Sequence, residues 1–193
     1  MRVLRSADYR RMPWKNGGGE TIEMVAFPAH ASLDAFDWRL SMAHVAQPGP
    51  FSPFPGIDRS LSIIAGAGIE LTIENETPIT LDRTSAPFRF AGERHVFCTL
   101  RDGATDDLNV MTRRERARHH VQRHCLARST ELSWQGDVGV VIAIGNTIDV
   151  VADGHTTKLG PTDAVQFEPG DVRNFIATPE IPADLFLVEV WMI

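Results

Sequence analysis

The sequence predicts an all-β protein, and three observations carry that prediction. Short segments in which apolar and polar residues alternate with period two recur along the whole 193-residue chain. Its 15 glycines and 12 prolines stand between those segments as turn punctuation instead of clustering in a linker. No segment carries the 3.6-residue apolar period of a good helix, and Ser6 to Arg11 has room for one or two turns at most. Strands this short, divided by turn signals, indicate a sandwich or a barrel.

Taken in chain order, the first clear strand is Asp37 to Ala43, with Trp38, Leu40 and Met42 on one face and Arg39, Ser41 and Ala43 on the other. Leu61 to Ile64, Ile69 to Glu74, Phe88 to Phe90 and His95 to Leu100 follow. Asp107 to Met111 sets Asp107 and Asn109 against Leu108 and Val110. The second half offers Val138 to Ile144, Ile148 to Ala152, Ala164 to Phe167, Asn174 to Ala177 and Leu185 to Trp191. Pro87 to His95 and Ala164 to Arg173 share a shape: a strand, a glycine turn beside an acidic residue, then another strand. That similarity suggests two related β-units with a seam near Arg113 to Arg118, giving expected domains at residues 1–113 and 114–193.

Composition bounds the function. Hydrophobic residues at 43% and charged residues at 23% exclude global disorder. A formal net charge of -6 argues against a nucleic acid or an anionic membrane as partner. Cys98 and Cys125 are too few and too far apart for a zinc framework or a disulfide scaffold, and are expected as free thiols in a reducing compartment. Met1 to Arg11 has no apolar run of the kind a secretory signal needs, and Val138 to Ile144 falls well short of a membrane span. A cytoplasmic protein is expected.

Three motifs have chemistry in them. Trp14-Lys15-Asn16-Gly17-Gly18-Gly19-Glu20-Thr21 joins a cation, an amide and an indole wall to glycines whose N–H groups can form an anion nest. A plain glycine turn with an exposed lysine fits the same letters. No Lys-Ser or Lys-Thr pair follows the glycines, so this is not a phosphate loop. In Gly49 to Arg59, prolines preorganise a loop in which Phe51, Ser52 and Phe54 could flank a ligand while Asp58 and Arg59 fix polar ends. The plainer alternative packs both phenylalanines into the core. Asp107 and Asn109 share a strand face, and Arg39 and Ser41 share another. Whether those faces point into a cavity or to solvent is left open by the letters alone. Arg113 to Arg128, with His119, His120 and His124, reads as a solvated strand or connector, because no third metal ligand stands nearby. No nucleophile elbow, His-Glu-x-x-His or Cys-x-x-Cys occurs.

Together, Met12 to Gly19, Asp37 to Ala43, Gly49 to Arg59 and Asp107 to Met111 resemble the HutD/Ves family in order and spacing, strongly over residues 10–113. The resemblance implies a bicupin, two cupin-like jelly-roll barrels in one chain, and in bacteria an association with histidine utilisation. Cupins usually hold a metal through a His-x-His…Glu set and a lone His. Here the first set falls on Ser52, Pro53, Phe54, Pro55 and Arg59, and the lone His on His95. In the C-terminal half Asp163 and Gly170 fit, but the ligand place is Arg173, and a guanidinium cannot ligate a cation. No metal and no other cofactor is expected.

The expected site is therefore Trp14, Lys15, Asn16, Gly18, Thr21, Arg39, Ser41, Phe51, Ser52, Phe54, Asp58, Arg59, Asp107 and Asn109. Cations and amides in place of a metal suit a small anionic metabolite. The operon association makes formylglutamate, formiminoglutamate and urocanate the candidates. The expected role is non-enzymatic binding that regulates or buffers histidine utilisation, since no nucleophile–base pair is evident. A metal-independent isomerase or hydrolase using Lys15 or Asp107 as base is the alternative, and a partner-binding structural protein a second. A homodimer through sheet edges is compatible with either.

Overall fold

The computed structural model describes every residue except Asn16 and Asn75. Its order begins with β1 (Arg2–Leu4), a 3-10 turn (Ser6–Asp8), β2 (Arg10–Pro13), β3 (Gly19–Phe27), β4 (Trp38–Val45), β5 (Gly49–Pro50) and β6 (Ile57–Ala65). Next come β7 (Ile69–Ile73), β8 (Ile79–Leu81), β9 (Phe88–Ala91), β10 (Val96–Leu100) and β11 (Thr105–Arg113). The remainder is β12 (Ala117–Leu126), β13 (Thr130–Ser133), β14 (Val138–Ile144), β15 (Ile148–Ala152), β16 (His155–Leu159), β17 (Ala164–Phe167), β18 (Asn174–Pro179) and β19 (Ala183–Met192). The fold is all-β. The helix allowed for at Ser6 to Arg11 shrinks to the 3-10 turn, because Arg10 already pairs with Glu23 in a ladder. The arginine- and histidine-rich stretch is a strand, with His119 buried and His120 exposed. Among the described residues no helix is long and apolar enough to cross a membrane.

The strands gather into two units, one of Tyr9–Arg118 and one of His119–Met192 together with Met1–Asp8. The opening strand joins the second unit through an antiparallel register, Arg2↔Gln166 to Leu4↔Ala164. Arg5 reinforces it by donating to Asp163 at 2.7 Å. Among the described residues each unit has two open sheets, and hydrogen bonding closes none of the four into a barrel.

In the Tyr9–Arg118 unit the sheets run β2-β3-β4-β11-β6-β9 and β5-β10-β7-β8. Leu61, Ile63 and Phe90 of the first meet Ile69, Leu71, Ile73, Leu81, Val96 and Cys98 of the second in one buried cluster. In the His119–Met192 unit the sheets run β1-β17-β14-β19-β12 and β13-β18-β15-β16. Between them Trp134, Phe167 and Phe175 stack in series, with ring centroids 5.7 and 5.6 Å apart, amid Val141, Val150 and Leu187. Gly139 has to be glycine there, since a Cβ would stand 2.8 Å from the Trp134 ring.

Candidate functional site

β4, β11 and β6 are neighbours in one antiparallel sheet, and their registers decide which side chains meet. Met111 lies between Arg39 and Arg59, Asn109 between Ser41 and Leu61, and Asp107 between Ala43 and Ile63. Because side chains alternate faces along a strand, these three rungs point the same way. They form the floor of a cavity of about 640 Å3, within the size range of small-molecule sites. Its walls come from the two motif loops.

The glycine motif folds into a tight turn in which Trp14 accepts from Gly17 N at 3.0 Å and donates to Gly19 O at 2.9 Å. Gly17 takes φ +70, and a Cβ on Gly19 would strike the His44 carbonyl at 2.1 Å, so both glycines are structural requirements. The Trp14 indole N–H donates to Thr21 Oγ1 at 2.8 Å, fixing the ring as a wall. Lys15 is at the exposed rim, with Gly18 and Thr21 also lining. Asn16 lies outside the described residues. The proline loop is tied down where Phe51 N donates to Val96 O and Phe54 N to Gly92 O. Phe51, Ser52 and Phe54 form the opposite wall.

The polar floor is buried and incompletely satisfied. Arg39 is 4% exposed, Arg59 5% and Asp107 3%. Arg39 donates through Nε to Glu23 Oε2 at 2.7 Å and through Nη1 to Ser41 Oγ at 3.0 Å, but its Nη2 has no partner among the described residues. Arg59 has a 3.5 Å contact to the Ser52 carbonyl, and its Nε has no partner among the described residues. Its guanidinium is held over the rings of Phe90, Phe51 and Phe54, at 4.9, 5.2 and 5.6 Å. Asp107 Oδ1 and Asn109 Oδ1 are also buried without partners among the described residues. Burial lowers the Arg59 pKa to about 10 against the attraction of Asp107. It raises the Asp107 pKa to about 7, because desolvation outweighs the pull of Arg59. Burial pushes the Cys98 thiol, also in the lining, up to about 12, so at neutral pH it is held as the thiol.

Asp58 is the expected site residue that lies outside the lining. Next to Arg59 on β6, it falls on the other face and pairs with Arg89 at 2.8 Å and Arg114 at 2.9 Å. Partial burial pushes its pKa up, but those hydrogen bonds win and hold it below the usual carboxylate value. Glu23, which orients Arg39, went unread in the sequence. The signal was its place two residues after Thr21 on the same alternation, opposite Ser41. Met111 and Cys98 in the lining were likewise missed.

Residues 6–181 match the HutD family model. The chain belongs to the HutD family. It is 33% identical over 172 residues to an uncharacterised 21.2 kDa protein of Pseudomonas putida named for the region 3′ of hutC, covering 89% of this chain and 88% of that one. It is 41% identical over 141 residues to Protein Ves of Citrobacter koseri, covering 71% of each. The solved structure of HutD from Pseudomonas fluorescens superposes with a TM-score of 0.85 at 31% identity, covering 100% of this chain and 98% of that one. A cupin 2 conserved barrel domain protein from Leptotrichia buccalis aligns at TM-score 0.57 and 9% identity over 88% of each chain, a likeness of fold alone.

The cupin likeness raises the question of a metal. This HutD-family cavity fits one poorly: two guanidiniums share its floor with the buried carboxylate of Asp107, and they repel a cation. Among the described residues, no three His, Cys, Asp or Glu side chains converge as a ligand set.

Proposed function

We propose that the Tyr9–Arg118 unit binds a small organic anion that also carries an N–H donor. Formylglutamate and formiminoglutamate are the best candidates and urocanate the next. The observation that carries this reading is the set of unpaired atoms on adjacent rungs: donors on Arg39 and Arg59, acceptors on Asp107 and Asn109. Buried polar atoms are normally paired, so a ligand matching this set has a carboxylate for the arginines and an amide-like N–H for the acceptors. Lys15 and the aromatic walls would close around it. The name of the P. putida relative supports a place in histidine utilisation, as a regulator or buffer of a pathway metabolite. On this reading each unit's two sheets act together as one cupin-like barrel, and the protein works in the cytoplasm, without a metal, as a monomer or an edge-to-edge homodimer.

One observation favours a second reading. A carboxyl titrating near neutrality, as Asp107 does, suits a general base, so a metal-independent isomerase or hydrolase of the same metabolites is the alternative.

A melting screen with formylglutamate, formiminoglutamate, urocanate, glutamate and histidine separates these readings. Ligand at ~100 times its Kd adds about 2.7 kcal/mol, or roughly 5–10 °C for a chain of this size. A shift for one acid that disappears in Arg59→Met supports binding. Proton NMR of the same mixture over hours then reads turnover: an unchanged ligand fits the binder, and conversion fits the enzyme. No shift with any compound would overturn both.

A further inference from the structure

The inward face of β19 is apolar at Ala183, Leu185 and Leu187, and the next position on that alternation is Glu189. It is 6% exposed, in a place where the pattern calls for another apolar residue. Glu189 borders a cavity of about 360 Å3 with His120, Gln122, Ser133, Gln135 and Trp191, all within the His119–Met192 unit. Oε1 accepts from the Gln135 backbone N–H at 2.7 Å, while Oε2 has the His120 Nδ1 at 3.5 Å. A carboxylate has acceptor capacity for about four hydrogen bonds, so much of it is unused. A buried carboxylate is costly unless paired, and among the described residues no lysine or arginine lines this cavity. Besides the Trp191 indole, a donor only, the remaining polar side chains are two carboxamides, a hydroxyl and an imidazole, all able to accept from a ligand's N–H groups.

We propose that this cavity is a second binding site, specific for a small organic cation with N–H donors, a primary ammonium or a guanidinium. Glu189 supplies the charge, and Gln122, Ser133 and Gln135 take the outward N–H groups. Its polarity is opposite to that of the arginine-floored cavity, so the two sites select different ligands and the proposal stands independently of the metabolite reading.

Titration of the full chain with methylguanidinium and with ethylammonium, followed by nitrogen–proton correlation NMR, tests it. Urea serves as the uncharged comparison. Saturable displacement of the Gln122 and Gln135 side-chain amide signals is expected at a Kd of about 1 mM, with no response to urea. Glu189→Gln should weaken binding about tenfold or more, the usual consequence of losing a charged hydrogen-bond partner. Should that variant fail to fold, Gln122→Ala, at a half-buried strand position, should weaken binding several-fold. Silence of those signals with both cations, equal displacement by urea, or undiminished affinity in Glu189→Gln or Gln122→Ala would overturn the proposal.

Discussion

Along β14, β17 and β19 of the His119–Met192 unit, the inward positions Val141, Ala143, Val165, Phe167, Leu185 and Leu187 are all apolar and at most 1% exposed. Along β4, β11 and β6 of the Tyr9–Arg118 unit, the inward positions include Arg39, Ser41, Asp107, Asn109 and Arg59. Both units build two open antiparallel sheets. One fills the space between them with stacked rings, whereas the other leaves a cavity whose floor has unpaired donors and acceptors. The difference teaches where each unit's stability resides. A filled apolar interior is stabilising throughout, while buried polar atoms left without partners cost stability.

The largest effect that would break this comparison is loss of a stacked ring. Phe175→Ala should cost about 3–5 kcal/mol, lowering Tm by roughly 10 °C or more. Phe51→Ala, in the half-buried cavity wall, should cost clearly less and act mainly on ligand affinity. Thermal melts of the two variants side by side check this, and equal losses would contradict the contrast.

Next in size is the pH response of the cavity. Asp107 has its pKa raised from the ordinary value to about 7, so between about pH 4 and that value the folded state holds a proton the unfolded chain has released. Its contribution to stability is therefore full at the acid end and is lost as pH rises through about 7. Asp107→Asn should be near neutral at pH ~3 and more stable than the parent at pH ~8, by on the order of a few kcal/mol. Denaturant melts at the two pH values read this difference. A parent chain that gains stability relative to Asp107→Asn as pH rises would contradict it.

Arg59→Met sharpens the comparison from the other side, by making the hollow unit resemble the filled one. Replacing a buried charge with an apolar group of similar length should leave the ligand-free protein equally stable or more stable by about 1–3 kcal/mol, while abolishing the metabolite-induced melting shift. The smallest effect belongs to Asp58→Asn. Its pairs with Arg89 and Arg114 are on the outer side of β6 and largely in water, so a loss of about 1 kcal/mol or less is expected, with binding untouched.

The alternation that reveals a strand also fixes which residues share a face, so Asp107 with Asn109 and Arg39 with Ser41 were legible from spacing alone. Which face points inward was not, because β4 buries Trp38, Leu40 and Met42 on one side and Arg39 and Ser41 on the other. With both faces buried, polarity no longer marks the outside. Asp58 falls outside the lining for a related reason: neighbours in a loop motif read as members of one site until the strand that holds them separates their side chains. The β1–β17 pairing joins residues far apart in sequence, and three residues at a terminus contain no local sign of it. Glu23 had a legible alternation but no visible partner, because the register that sets it opposite Ser41 arises between strands.

Chemical-shift mapping of the full chain during titration with formylglutamate tests the central contrast most directly. The account predicts displacements concentrated on the inward positions of β4, β6 and β11 and on the Trp14 and Phe51–Phe54 walls, with the aromatic stack of the His119–Met192 unit unmoved. Displacements centred on that stack, or none at saturating ligand, would contradict it.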